Sequence, residues 1–382
     1  MCPRFESRWY HTQSRLYGDF LFAPLCRMPR PTLLQQLQSI DADRVVWVHE
    51  AQLDEDDLSR MRETLQAGLV VPLHEMAVEG GEALKTLAQT EQFWEHWSAL
   101  GVTRRSLILT HGGGALSDAV GFAAATLKRG IAVAHVPTTI LGMVDAAWGG
   151  KTGINWGHGK NQIGTFHHPE FVHVDATWLK TLPVRELRAG LAEMAKHELL
   201  SPASLSIPLD KLADLDPSKH LDTWTDWLVA SSNVKQTFVQ ADPGDLGARQ
   251  ALNLGHTVAH ALESWSMAQG TAWLHGEAVA VGLQFALFEM SNETLTVSSS
   301  APLASMPAPP DGFQRWLKQA IPMPTPLPEN GETLWPWMMQ DKKNQGDAVM
   351  DLAIRPSSQG LWLARWEKHA FEATWTKFVR SM

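Results

Sequence analysis

The sequence predicts an α/β fold, an N-terminal doubly wound, Rossmann-like sheet over residues 1–176 followed by a mainly α-helical part over 177–382. Three observations carry this. Between residues 33 and 136, short apolar runs alternate with helical periods, and strands separated by helices pair in parallel with the helices as crossovers. A glycine turn, His111-Gly112-Gly113-Gly114, joins one such strand to the next helix. Beyond residue 184 the strand signals stop, and four helical periods follow.

Taken in order, residues 1–30 are mixed, with an aromatic alternation over 17–22 that reads as an edge strand. Periodicity predicts helices over 33–40, 54–67 and 82–100, interleaved with strands over 44–48, 69–73 and 106–110. The third strand feeds the glycine turn and a helix over 119–127, an arrangement that aims backbone N–H groups at an anion. The dinucleotide fingerprint G-x-G-x-x-G is met only in part, because Ser117 holds the third glycine position. A strand over 131–136, Pro137, and Thr138 as the cap of a helix over 139–147 come next. The glycine-rich stretch 136–164, with Lys151 and Lys160, reads as backbone folded closely around an anion, or as a solvated loop. Helices are expected over 184–200, 221–240, 246–265 and 273–290. A Ser- and Pro-rich connection over 291–330 with one short helix at 313–320, a hairpin of 348–354 with 361–365, and a helix from Lys368 complete the chain.

Composition narrows the function. With 382 residues, 44% hydrophobic and 19% charged, the chain is long enough for two domains. A net charge of -9 argues against general nucleic-acid binding, so an anion site must be built locally. Cys2 and Cys26 fit no metal or disulfide pattern and suit a reducing cytoplasm, and no apolar run is long enough to span a membrane. The 17 tryptophans read as half-buried packing.

Two helical patterns carry chemistry. Glu193 and Lys196 lie three apart among apolar residues, so they share a face that is costly to bury without a partner. His256 and His260 lie four apart on another face, and His275 opens the next helix. Histidines gathered with a carboxylate and without cysteine suit Zn²⁺ or a similar divalent ion acting as a Lewis acid. Lys235, Arg249, Lys342 and Lys343 are further cations, each unremarkable alone.

In order, the chain holds Gly112-Gly-Gly…Asp118, Val-Pro-Thr138-Thr139, Asp145…Gly-Gly-Lys151-Thr-Gly-Ile-Asn, Gly-Lys160-Asn161-Gln-Ile-Gly, Leu-Lys-Thr-Leu-Pro, Gly-Leu-Ala-Glu193-Met-Ala-Lys196, Leu-Asn253-Leu-Gly-His256-Thr, Leu-His275-Gly-Glu-Ala-Val-Ala and Asp-Lys342-Lys343. From about Glu82 to Lys343 this set closely resembles the 3-dehydroquinate synthase family. The resemblance implies a nucleotide-binding α/β domain, a helical metal-binding domain, an active site between them and a cytoplasmic homodimer. It implies zinc or cobalt on Glu193, His256 and His275, and NAD held by Glu82, Lys85, Gly113, Gly114, Ala115, Asp118, Thr138, Thr139, Asp145 and Lys160. A sugar-acid phosphate substrate would meet Asp145, Lys151, Asn161, Lys196, Lys235, Arg249 and Asn253, with phosphate reached by Lys342 or Lys343 and by Arg129 of the partner subunit. The catalytic set it implies is Lys151, Lys196, Asp245, His260 and Asn161, with His260 in a proton network and not on the metal.

Four positions depart from the family pattern. Trp148 replaces a small or aliphatic residue and is expected to reshape the pocket, Asp245 replaces a glutamate, Ser117 replaces a glycine, and His49-Glu50 stands at the ribose-binding acidic position. The leading expectation is conversion of 3-deoxy-D-arabino-heptulosonate 7-phosphate to 3-dehydroquinate and phosphate in the shikimate pathway. The rivals are a sister sugar phosphate cyclase making a valiolone or an aminodehydroquinate, a metal-dependent polyol dehydrogenase, and a non-catalytic descendant.

Overall fold

A computed structural model describes residues 30–382 apart from 158, 202–215, 307, 310, 342, 343, 345–347 and 359. The edge strand expected over 17–22, both cysteines, Lys342 and Lys343 lie outside the described residues.

The first half builds a parallel sheet. Helix α1 (Leu33–Gln38) is opened by a capping box between Thr32 and Gln35 and leads to β1 (Val45–Glu50). Helix α2 (Glu55–Gly68), capped by Asp54, precedes β2 (Leu73–Val78). A 3₁₀ turn, Glu82–Leu84, and helix α3 (Leu87–Ala99) lead to β3 (Leu107–Gly112), then helix α4 (Gly114–Thr126) and β4 (Ala132–Pro137). The strand order is β2-β1-β3-β4, parallel throughout. The order reverses between β1 and β3, and ligands of such sheets bind at the carboxyl ends of the strands at that point.

Strands β1 and β3 are buried along their whole length, with side chains alternating between two cores. Val46, Val48, Ile108 and Val133 face Phe93, Trp97, Leu116 and Val120 of α3 and α4. Val45, Trp47, Leu107, Leu109, Ala134 and Val136 face a larger core that runs on without a break into the helical half.

The glycine-rich stretch is more structured than expected. Helix α5 spans only Ile140–Val144, and its cap is Thr139, whose hydroxyl accepts from Gly142 N–H at 3.1 Å, not Thr138. The chain then turns through a 3₁₀ segment, Ala146–Trp148, into a hairpin of β5 (Lys151–Trp156) and β6 (Gly159–Phe166). Glycines permit this pairing: a Cβ on Gly164 would stand 2.3 Å from the Thr152 carbonyl oxygen.

The second half comprises α6 (Val184–Leu200), α7 (Leu221–Ala241), α8 (His256–Ala268) and α9 (His275–Asn292). The helix expected over 246–265 is broken. A 3₁₀ turn, Ala248–Asn253, is followed by Gly255, whose φ of 77° restarts the chain as α8. The connection over 291–330 contributes β7 (Thr296–Val297), β8 (Ala304–Ser305) and α10 (Phe313–Ala320), then comes an unexpected α11 (Gly331–Met338). The hairpin of β9 (Val349–Arg355) and β10 (Gly360–Trp366) and the helix α12 (Lys368–Ser381) match expectation. The short strands β7 and β8 add to β10. Among the described residues no helix is long and apolar enough to cross a membrane.

Candidate active site

At the sheet's carboxyl edge, β3 ends at Gly112 and α4 begins two residues later, so its first N–H groups face the switch point. Glu50, at the end of β1, lies against this turn: a Cβ on Gly112 would stand 2.7 Å from the Glu50 side chain. Burial pushes the Glu50 carboxyl up, and hydrogen bonds from Gly113 and Gly81 N–H oppose the shift. Lys85 donates to Asp118 at 2.8 Å and to Asn161 of the hairpin. Burial pushes the Asp118 carboxyl up to about 6 against the pull of Lys85. Asn155 donates to Glu82 at 2.7 Å and accepts from the Asn161 N–H at 2.8 Å, which fixes Asn161 at a φ of 54°. Glu82, Lys85, Asp118 and Asn161 therefore form one connected patch, with Gly113, Gly114, Ala115, Thr138 and Thr139 along the nearby turns.

Three helices bring Glu193, His256 and His275 together, with one donor atom from each within 4.8 Å of the others. Glu193 on α6 is fully buried, and its Oε1 lies 3.4 Å from Nε2 of each histidine. Gly276 permits the approach of α9 to α6, since a Cβ there would stand 1.8 Å from the Ala189 carbonyl oxygen. His256 Nδ1 lies 3.2 Å from the Leu254 carbonyl oxygen and His275 Nδ1 lies 3.0 Å from Glu263 Oε2. Both partners only accept, so each ring donates from Nδ1 and turns Nε2 toward Glu193. Neither oxygen of Glu193 has a well-formed hydrogen bond, although Lys196 lies within ion-pairing reach. A buried carboxylate short of donors, faced by the Nε2 atoms of two imidazoles, fits a divalent metal. Burial alone lowers His275, but Glu263 and Glu193 raise it to about 10, whereas burial and Lys196 lower His256 to about 4.

Beside this cluster Asp145 collects positive groups. Its Oδ1 accepts from Lys235 at 2.6 Å and lies 3.8 Å from both Lys196 Nζ and His197 Nε2. Burial opposes its ionisation, yet Lys235 and Lys196 hold the carboxyl well below the usual range. His197 is anchored by Ser231 at 2.8 Å. Lys151 pairs with Asp245, and burial lowers the lysine while Asp245 raises it. Arg249 donates to the Gly149 carbonyl at 2.6 Å, and a Cβ on Gly149 would stand 3.8 Å from Lys235 Cε, so Lys151, Arg249 and Lys235 gather around one turn. Lys160 pairs with Glu263 at 3.2 Å and His260 with Asp341 at 3.2 Å. Asn253 ends the 3₁₀ turn before Gly255. Arg129 is exposed beyond the end of α4, at the opposite edge of the sheet, and does not join this set.

The chain matches the family models for the 3-dehydroquinate synthase N-terminal region at residues 75–189 and C-terminal region at residues 190–344. It belongs to the 3-dehydroquinate synthase family. The 3-dehydroquinate synthase of Mycobacterium leprae is 42% identical over 224 residues, which cover 58% of this chain and 60% of that protein. The 3-dehydroquinate synthase of Leptospira interrogans serovar Lai is 36% identical over 290 residues, covering 75% of this chain and 76% of that protein. In fold, the chain is similar to the 2-epi-5-epi-valiolone synthase of Streptomyces hygroscopicus with NAD⁺ and Zn²⁺ bound, with a TM-score of 0.76 and 22% identity over 92% of this chain and 96% of that one.

Against the pattern of the 3-dehydroquinate synthase family, the departures find local explanations. The Trp148 indole N–H donates to the Met143 carbonyl at 2.6 Å, so the ring caps the end of α5. Asp245, with a φ of 58°, reaches Lys151 despite its shorter side chain. Ser117 donates to the Gly114 carbonyl at 2.8 Å, inside the first turn of α4. Sequence reasoning missed Asn155, His197 and Glu263. Glu263 had a signal: with His256 and His260 it follows the i, i+4, i+7 spacing of one helix face. His197 had none, because its partners come from α7 and the α5 turn.

Proposed function

We propose that the chain is a 3-dehydroquinate synthase, a carbon–oxygen lyase that converts 3-deoxy-D-arabino-heptulosonate 7-phosphate to 3-dehydroquinate and phosphate. The observation that carries this reading is the meeting of the Glu193, His256 and His275 donors with Asp145, Lys196 and Lys235 beside a helix-borne glycine turn. Family membership supports it. So does the economy of the site: a polyol dehydrogenase has no need of three cations around Gly149.

The protein in this reading is a cytoplasmic homodimer with a nucleotide-binding domain over 1–176 and a metal- and substrate-binding domain over 177–382. Glu193, His256 and His275 hold Zn²⁺ or Co²⁺, and Glu82, Lys85, Gly113, Gly114, Ala115, Asp118, Thr138, Thr139, Asp145 and Lys160 line the NAD site. When bound, the metal supplies Lewis acidity at a substrate hydroxyl and NAD supplies a hydride acceptor that returns the hydride in the same turnover. Asp145, kept ionised by Lys235 and Lys196, accepts a hydrogen bond from the ring hydroxyls and fixes their orientation. Lys151, Arg249 and Lys235 hold the leaving phosphate, with Lys342 or Lys343 and the partner copy's equivalent of Arg129 completing its charge balance. Asp245 restrains Lys151, while Asn161, Asn253 and His260 hold substrate hydroxyls and relay protons between them. The exposed Trp156, Ile163 and Phe166 of the hairpin support a surface for a second copy.

The test is turnover of 3-deoxy-D-arabino-heptulosonate 7-phosphate by purified protein with NAD and Zn²⁺. Equal amounts of phosphate and dehydroquinate, without net NADH, are expected. Turnover of sedoheptulose 7-phosphate alone would assign the chain to a sister cyclase, and net NADH from a polyol would assign it to the dehydrogenases.

A further inference from the structure

Glu263 lies outside the proposed ligand and substrate sets, yet two parts of the site meet on it. Its Oε2 takes the His275 Nδ1 proton at 3.0 Å and its Oε1 takes Lys160 Nζ of the hairpin at 3.2 Å. The side chain is 11% exposed, so neither bond is readily exchanged for water. The two histidines are oriented differently. His256 is turned by a backbone carbonyl, which the helix start holds in place, whereas His275 is turned by a side chain that must itself be held. The packing of α8 holds it, and Lys160 adds a half-exposed ion pair.

We propose that Glu263 is the positioning residue of the metal centre. It fixes the ring and tautomer of His275 so that Nε2 faces Glu193, and Lys160 steadies it from the hairpin. This rests on the metal site proposed above and extends it to a residue beyond the ligands. Carboxylates that accept from a ligating imidazole orient the ring and raise its basicity, and their loss costs about 10- to 100-fold in metal affinity.

The experiment is competition for Zn²⁺ between chelator-stripped protein and a chromophoric chelator, together with the visible spectrum of the Co²⁺-loaded protein. Wild-type protein tests the site itself: failure to bind would overturn the metal reading and this inference with it. Given wild-type binding, Glu263→Ala is expected to weaken Zn²⁺ affinity about 10- to 100-fold and to shift the Co²⁺ bands. Glu263→Met, close in length to the native side chain, is expected to repeat the loss without opening a cavity. Glu263→Gln keeps an acceptor for Nδ1–H and is expected to recover most of the affinity. Lys160→Met breaks the same ion pair from its other end and is expected to stay within about threefold of wild type, as for a half-exposed pair. Affinity of both Glu263→Ala and Glu263→Met within about twofold of wild type, small against the usual effect of such a residue, would overturn the proposal. So would a loss in Lys160→Met as large as theirs, because the effect would then belong to hairpin docking.

Discussion

Lys196 sits between Glu193 and Asp145, fully buried, and both carboxylates hold its ammonium charged despite the loss of water. Removing it leaves Glu193 buried without its ammonium and Asp145 with Lys235 as its remaining close cation. Lys196→Met is therefore expected to destabilise the metal-free protein by about 3–5 kcal/mol, measured by urea unfolding, and to abolish turnover. His111 is a second case in which burial decides the chemistry. It lies between Trp47 and Trp178 with no hydrogen bond at either nitrogen, and burial lowers it to about 3. Since its folded pKa lies below the unfolded value, its neutral form supports stability above about pH 6.5, and that support is lost as pH falls toward 3. At pH 5 the loss amounts to about 2 kcal/mol. His111→Phe is expected to flatten the fall in Tm between pH 7 and pH 5 correspondingly. At this scale the sequence was legible where a residue type has few uses, as with Glu193, His256 and His275. It was silent where a role depends on what lies opposite, as with His197 and Asn155.

Between elements, the spacing of α6 and α9 is set by the absence of a side chain. Gly276→Ala would force its Cβ against the Ala189 carbonyl and push His275 away from Glu193. A cost of about 3 kcal/mol, at the upper end of overpacking, is expected in thermal melts, together with loss of Zn²⁺ binding. Trp148 makes the opposite case. It was expected to alter the pocket, yet its indole is tied to Met143 O, so Trp148→Phe should cost about 1 kcal/mol of stability and leave kcat nearly unchanged. The elements that sequence reasoning misplaced each have a local cause. Strand β2 is an edge strand with partial burial, so the apolar run at 69–73 outweighed its weak pattern, although Val70 is fully exposed. The β5–β6 hairpin was hidden by the glycines that allow its strands to approach. The break before α8 depends on the left-handed Gly255, where apolar periodicity continues across the gap.

Across the whole molecule, parallel order and the helical second half followed from alternation and length, because those signals are local. The union of the two halves through one core was not legible, since it depends on which faces meet. The proposed metal joins three helices of that core, so its removal should be felt globally. Chelation is expected to lower stability by about 2.7 kcal/mol relative to protein in metal at a hundred times Kd, read as a fall in Tm that added Zn²⁺ reverses. Helix α9 adds a constraint in time. Its first residue is His275, but farther along Phe285 packs on Trp366, Phe371, Trp375 and Phe378 with ring centroids 5.3–5.7 Å apart. During synthesis the ribosome must therefore complete β10 and α12 before α9 can settle. A nascent chain paused near residue 347 carries every proposed metal ligand and still lacks the aromatic bed on which one of them depends. Such chains are expected to depend on chaperones and to hold zinc more weakly than the full chain, as competition with a chelator on a chain ending at residue 347 would show.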